Sequence, residues 1–340
     1  MTKKNKTFLN DCLNKIKESK KKCNLYKNYL NSLNFHSNNV KKLDDLPFIH
    51  VNSFKNFDLM NIKKEKIFKV LKSSGTTSEN YSKIYLDKIN AKKQQVILNK
   101  IMNELLKGKR KPMIICEKKV DLKNNLSFNA SFAAIIGFSI FGKDHLYLEK
   151  SDGSIDYKSL NSFLKKYRND EKFIFGFTSR MYEILLKKLN EKKISKGLSG
   201  SFILHGGGWK KLSNLKINNF ELKKKIKEKL KIKKIINYYG MIEQIGSIFL
   251  ECDECGYFHE TEYTKVIVRD ENLKKIVNKK GMIQLISNLP TSYPGNSILT
   301  EDYGRIITDI KCSKAKNNQL FEILGRVEKA DVRGCSDAYL

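Results

Sequence analysis

Between residues 67 and 239, short apolar runs alternate with longer stretches of helical periodicity, and this alternation constrains the fold more than any other feature of the chain. The runs 113–116, 173–177, 202–204 and 235–239 are apolar at most positions, as strands are when both faces are covered. Segments 89–106, 180–189 and 220–232 instead space apolar residues three and four apart, the period of a helix packed on one side. Strand and helix in turn predict an α/β fold with a largely parallel sheet. After Gly246 the rhythm shortens to β-rich runs at 247–251, 265–269, 282–287, 305–310 and 320–324, separated by turn residues, which predicts a smaller β-rich subdomain. Ahead of this body, Phe8, Leu9, Cys12, Leu13 and Ile16 predict an amphipathic helix packed against it.

Charge needs dividing before it is interpreted. The 340 residues carry 66 Lys and Arg against 36 Asp and Glu, a formal net charge of +30. That balance raises nucleic acid or an anionic membrane as partners. Only seven of the 66 are arginines, whereas bidentate recognition of phosphate or guanine favours Arg. Lysines at 20–22, 223–225 and 231–234 alternate with apolar positions at helical spacing and read as solvated helix faces. A basic nucleic-acid-binding protein is therefore the non-enzyme alternative, supported by charge and by no recognition motif. With 40% hydrophobic and 10% aromatic residues the chain is not a disordered polymer. No apolar core of a secretory signal appears in the first forty residues, so a cytoplasmic location is expected. The longest apolar stretch, 130–142, is shorter than the ~20 residues of a membrane span and predicts a buried helix and no membrane span.

Four motifs carry chemistry. Ser73, Ser74, Gly75, Thr76, Thr77 and Ser78 lie between two strand-like runs, where hydroxyls and backbone N–H groups can surround an anion, although the spacing is not that of a Walker A loop. His205 and Gly206, Gly207 and Gly208 follow a strand, and glycines at that end of a parallel sheet let backbone approach a flat ligand. Tyr238, Tyr239, Gly240 and Glu243 offer an aromatic face and a carboxylate suited to a hard cation. Glu301, Asp302 and Gly304, then Gly325 and Arg326, close the series. Each motif alone is also a common turn.

In this order the pieces become specific. Hydroxyl loop, strand-GGG, Tyr-Gly-x-x-Glu, Glu-Asp-x-Gly and Gly-Arg follow one another as the core motifs of adenylate-forming enzymes do. The details resemble the acyl-protein synthetases of bacterial bioluminescence, on the branch that includes phenylacetate-CoA ligase: PFIHVNSFK at 47–55, SSGTTSENYSKIY at 73–85, GGGWK at 206–210 and RGC at 333–335. The resemblance implies an N-terminal helical segment at 1–45, an α/β adenylation core at 46–246, a β-rich subdomain completing the nucleotide site at 247–326, and a tail at 327–340. It implies that Ser73–Ser78 and Lys83 hold ATP phosphates, that Gly206–Gly208 and Tyr238–Gly240 border the adenine, that Glu243 binds Mg²⁺ and Asp302 the ribose, and that Arg326 ends the large domain. The implied reaction is ATP-dependent activation of a carboxylic acid, a fatty acid by family analogy, to an acyl-adenylate. Transfer would follow to the chain's own Cys335 as a thioester and on to a partner such as an acyl reductase. Release to coenzyme A is the alternative enzyme reading.

Two departures qualify the resemblance. Ser78 stands where a second glycine is commoner, and two extra residues precede Lys83. Fourteen residues follow Arg326, so the superfamily's mobile C-terminal domain with its catalytic lysine is expected to be absent, and Lys210 becomes the candidate to replace it.

The seven cysteines have no disulfide-framework spacing. Cys335, two residues from Arg333, sits where the bioluminescence synthetases have an acyl-accepting cysteine, and a guanidinium favours thiolate. Cys252, Cys255 and His259 form C-x-x-C-G with a histidine four residues on, half of a tetrahedral zinc site that Cys312 would extend. A structural zinc ion bracing the β subdomain and unliganded core thiols are both consistent with that spacing.

Overall fold

A strand covered on both faces tolerates no charge without a partner, and this chain concentrates its aliphatic and aromatic residues in such strands. The computed structural model describes residues 3–73, 81–119, 130–194, 197–208 and 217–326. In chain order they form helices α1 (Lys3–Lys22) and α2 (Asn24–Ser32), strand β1 (Ile49–His50), helix α3 (Ser53–Asn56), strands β2 (Lys69–Lys72) and β3 (Lys83–Leu86), and helix α4 (Lys88–Leu106). Next come β4 (Lys111–Lys118), α5 (Ala130–Ser139), β5 (Gly142–Glu149), α6 (Tyr157–Lys166), β6 (Phe173–Phe177), α7 (Thr178–Met181), β7 (Phe202–Gly206), α8 (Asn219–Leu230) and β8 (Lys234–Gly240). The last part is strand-rich: β9 (Ile248–Leu250), β10 (Phe258–His259), β11 (Thr264–Arg269), β12 (Lys275–Ile276), β13 (Gly281–Ser287), β14 (Ser297–Ile307) and β15 (Leu320–Arg326). Two compact units result: residues 3–73, 81–98 and 240–326 in one, the described residues of 99–239 in the other.

The unit of residues 99–239 holds the parallel sheet that the alternating pattern predicts, with strand order β5-β4-β6-β7-β8. On one face Ile114, Cys116, Ile174, Ile203 and Ile235 pack with Leu160 and Leu164 of α6 and Leu222 and Ile226 of α8. Both helices begin where the sequence supplies an acceptor for their exposed N–H groups. The Asp156 carboxylate accepts from the Ser159 N–H at 3.0 Å, and Asn218 with Glu221 forms a reciprocal capping box. Instead of a regular α-helix over 180–189, the chain makes the short α7 and then a wider π-helical stretch, Tyr182–Lys188.

In the other unit the order is β10-β15-β14-β13-β11-β12. β14 departs from expectation: it runs Ser297–Ile307, not 305–310, and takes in Glu301, Asp302 and Gly304. Acids and glycine are poor strand formers, so the sequence reads as a turn there, but β15 pairs with Asp302 and both β13 and β15 pair with Gly304, which overrides propensity, while the β13 register skips Thr300–Asp302. β1 runs parallel to β14, with Ile49 opposite Ile298, and so anchors the 47–55 segment. β2 and β3 form an antiparallel hairpin that belongs to this unit. The opening helix buries Phe8, Leu9, Cys12 and Ile16, and Ser19 on the same face accepts from Asn61 Nδ2 at 2.8 Å. Among the described residues no helix is long and apolar enough to cross a membrane.

Candidate active site

Glu243 is the buried carboxylate around which the first unit's polar groups gather. It lies in a 3-10 turn, Ile242–Gln244, just after β8, and is 7% exposed. Its neighbours fix the turn from both sides. Gln244 is fully buried, and its Nε2 donates to the carbonyls of Leu285 at 3.1 Å and Gly295 at 3.0 Å. The Ile245 N–H donates to the Tyr293 hydroxyl oxygen at 3.1 Å. Burial pushes the Glu243 carboxyl above the usual carboxylate range, while the nearby Ser82 hydroxyl and the charges of Arg326 and Lys55 pull it back. Ser82 Oγ is itself a buried atom. An acid held at this depth beside a buried hydroxyl and two cationic side chains is chemically suited to a divalent cation with phosphate.

Secondary structure carries the other groups of this unit to fixed places. Ser73 and Ser82 extend the β2–β3 hairpin: the Ser73 N–H donates to the Ser82 carbonyl at 3.0 Å, and the Ser82 N–H donates to Ser73 Oγ at 2.8 Å. Lys83 opens β3 and pairs with Asp58 at 3.6 Å, and Tyr85 donates its hydroxyl to the same carboxylate at 2.7 Å. Asp302 is the register partner of Arg326. Glu301 accepts from Asn52 Nδ2 and pairs with Arg326 at 3.4 Å. Lys55 and Asn52 lie in the segment that resembles the bioluminescence synthetases, but sequence reading gave neither a role; Ser82 and Gln244 were missed as well. The neighbourhood of Glu243 singles out Lys55, Ser82 and Gln244, and the bond to Glu301 singles out Asn52.

In the second unit, Gly206, Gly207 and Gly208 do follow a strand, β7. Gly206 lies opposite Tyr238 in register, and a Cβ there would stand 2.5 Å from the Tyr238 ring, so only glycine lets that ring lie on the strand. Tyr238 packs beside Phe175, 6.2 Å between centroids and 18° between planes, and beside Phe138 at 5.1 Å. These rings make an aromatic cluster on the face of the sheet that Tyr238 shares with Phe175. Tyr239 and Gly240 complete β8. His205 points to the opposite face, fully buried, with Nδ1 3.0 Å from Thr178 Oγ1 and Nε2 unpartnered. Burial, with Lys223 nearby, lowers its pKa to about 3, so it stays neutral.

A second buried ionic group was not foreseen. Arg180 in α7 meets Glu117 at 3.1 Å and Glu183 at 2.6 Å, and also pairs with Glu149, which Lys188 contacts as well. Cys252, Cys255, His259 and Cys312 converge, their ligand atoms all within 4.8 Å of one another. Ser74, Gly75, Thr76, Thr77, Ser78, Lys210 and Cys335 lie outside the described residues.

The family model "Acyl-protein synthetase, LuxE" matches residues 1–339. No curated protein matches the chain by sequence. Among solved structures, a 2-hydroxyisobutyryl-CoA ligase in its postadenylation state, in complex with R3-HIB-AMP, superposes with TM-score 0.72 at 12% identity, covering 95% of this chain and 68% of that one. An open conformation of the same ligase, in complex with 2-HIB-AMP and CoA, gives TM-score 0.72 at 12% identity over 96% and 75% of the two chains. The fold is thus the α/β fold of an adenylate-forming ligase.

Proposed function

Because the chain belongs to the acyl-protein synthetase (LuxE) family, we propose that it activates a fatty acid with ATP and passes the acyl group through its own Cys335 to a partner protein, an acyl reductase. The observation that carries the first half is the buried Glu243 carboxyl in the field of Lys55 and Arg326 beside the buried Ser82 hydroxyl. In this reading Ser73–Ser78 and Lys83 receive the phosphates, Gly206–Gly208 and Tyr238–Gly240 border the adenine, and Asp302 meets the ribose. A carboxylate oxygen attacks the α-phosphorus, the bond to the β-phosphate oxygen breaks, pyrophosphate leaves, and the mixed anhydride remains. Mg²⁺, which Glu243 would hold, supplies charge neutralisation on the phosphates. Arg326 and Lys55 add to it from fixed positions, and Lys210 is the lysine assigned to the leaving group. The Cys335 thiolate, favoured by Arg333, then attacks the acyl carbonyl carbon; its proton has gone to solvent, and AMP leaves.

The test is one preparation read in two ways. Purified protein with Mg-ATP and a panel of short, long and aromatic acids is expected to exchange labelled pyrophosphate into ATP, and Glu243→Gln to lose that exchange by about a hundredfold or more. Cys335→Ser is expected to keep the exchange while losing hydroxylamine-sensitive labelling by radioactive acid. No exchange above a boiled control removes the adenylation reading. Label persisting on Cys335→Ser, or consumption of coenzyme A with no label on the wild type, moves the assignment to an acyl-CoA ligase.

A further inference from the structure

The turn at 252–259 is built to aim two sulfurs the same way. Cys252 N–H donates to the Tyr257 carbonyl at 2.9 Å, Gly256 N–H donates to the Cys252 carbonyl at 2.9 Å, and Glu254 N–H lies 3.4 Å from Cys252 Sγ. Gly256 sits at φ +75°, a conformation that favours glycine and lets the chain double back after Cys255. β10 then fixes His259 opposite Leu320 of β15. The fourth residue, Cys312, comes from the loop that joins β14 to β15. That loop is tied to the turn by Glu254, whose carboxylate accepts from the Ser313 N–H at 3.0 Å and from its hydroxyl at 2.8 Å, and by the Lys314–Asp253 ion pair.

Two of the separations lie near the edges of a tetrahedron around one ion. Zinc bound at usual Zn–S and Zn–N distances requires about 3.8 Å between two sulfurs and about 3.6 Å between a sulfur and a nitrogen. Cys252 Sγ and Cys312 Sγ are 3.7 Å apart, and Cys255 Sγ and His259 Nε2 are 3.2 Å apart. Three thiol sulfurs and an imidazole are soft and borderline donors, which select Zn²⁺ over Mg²⁺ or Ca²⁺. Four protein ligands leave no open position, so the site is structural.

Further polar ties hold the loop: Lys265 Nζ donates to Asn318 Oδ1 at 3.0 Å and Gln319 Nε2 to Glu260 at 2.9 Å. Its apolar support is a small cluster of buried Ile307, Ala315 and Leu320 with Tyr257 packed alongside. Lys316 and Asn317 stand at φ +48° and +71°, left-handed conformations that side chains with a Cβ adopt only at a cost. A metal that binds only the folded arrangement offsets such costs.

We propose that Cys252, Cys255, His259 and Cys312 bind one zinc ion, which pins the β14–β15 loop to the edge strand β10. The inference does not depend on the chain's enzymatic activity. The rival use of the same thiols, a Cys252–Cys312 disulfide, would have to bring the sulfurs from 3.7 Å to about 2.05 Å and would leave Cys255 and His259 facing each other.

The full chain, expressed with zinc supplementation and purified without chelator, is expected to carry about one zinc per chain by elemental analysis. Cys312→Ser should retain a small fraction of that, and the control Cys12→Ser, a buried thiol of α1, should retain it all. Cys312→His keeps four ligands and is expected to keep the zinc, so a folding failure of the serine variant does not decide the matter. Reconstitution with Co²⁺ should give the intense visible bands and sulfur-to-metal charge transfer of a tetrahedral thiolate site, shifted in Cys312→His. Wild type without zinc, a pale octahedral cobalt spectrum, a Cys252–Cys312 disulfide in peptide mapping, or equal loss from Cys12→Ser and Cys312→Ser would each overturn the proposal.

Discussion

Asp302 and Arg326 face each other across β14 and β15 only because the register slips by one residue between Tyr303 and Gly304. From Ile307 back to Gly304 the partners are Leu320 to Ile323; beyond the slip Tyr303 meets Gly325 and Asp302 meets Arg326. Without it Asp302 would lie opposite Gly325. Leu324 is the extra residue, half exposed, and Gly325 takes φ +130°, a conformation that only glycine adopts readily. The bulge thus sets which side chain β15 presents beside Asp302 and Glu301.

Gly325→Ala is therefore expected to strain the bulge, with a loss of about 1 kcal/mol of stability in urea unfolding. It should also raise the KM for ATP in pyrophosphate exchange in the direction of Arg326→Met, for which about a tenfold rise corresponds to one lost charge-assisted contact. Unchanged ATP dependence in both variants would detach this strand end from the nucleotide.

Arg180 holds together a group that cannot tolerate its removal. The side chain of Glu149 is fully buried and that of Glu117 nearly so, and burial alone pushes Glu117 toward its neutral form. Arg180→Met should cost about 3–5 kcal/mol by leaving the buried Glu117 carboxylate uncompensated and Glu149 with Lys188 alone. The triple variant Arg180→Met/Glu117→Gln/Glu149→Gln should recover much of it. Equal destabilisation of the single and triple variants in urea titration would show that shape, not charge, is what Arg180 contributes.

His205 gives the fold a pH dependence of known sign. Its pKa is lowered in the folded chain to about 3, whereas an unfolded histidine titrates near 6.5. Above pH ~6.5 the group is neutral in both states; as pH falls below that, the unfolded chain takes up a proton that the folded chain refuses. Stability is then lost at about 1.4 kcal/mol per pH unit, roughly 2 kcal/mol between pH 7.5 and 5. His205→Asn should flatten this part of the profile, measured as the wild-type minus variant difference in unfolding free energy. A difference that does not change with pH would contradict a neutral buried imidazole.

Some of this organisation is legible in the residues themselves. The parallel sheet is written in runs such as Phe173–Phe177, because strands buried on both faces must be apolar throughout. Glu243 and Cys252, Cys255 and His259 stand out because chemistry needs those residue types at short spacing within one local turn. What sequence alone determined ends where contacts become distant. Asn52 and Lys55 acquire meaning only through the pairing of β1 with β14, which spans more than 200 residues, Ser82 and Arg326 only through their approach to Glu243, and β14 keeps Asp302 and Gly304 in the strand because β15 pairs with both. Local propensity cannot encode a one-residue slip in register, since its cost and its benefit both lie in the partner strand. For that reason the sequence specified the alternating fold and the short-range motifs, while tertiary pairing decided that Asp302 meets Arg326 and that Cys312 reaches the 252–259 turn.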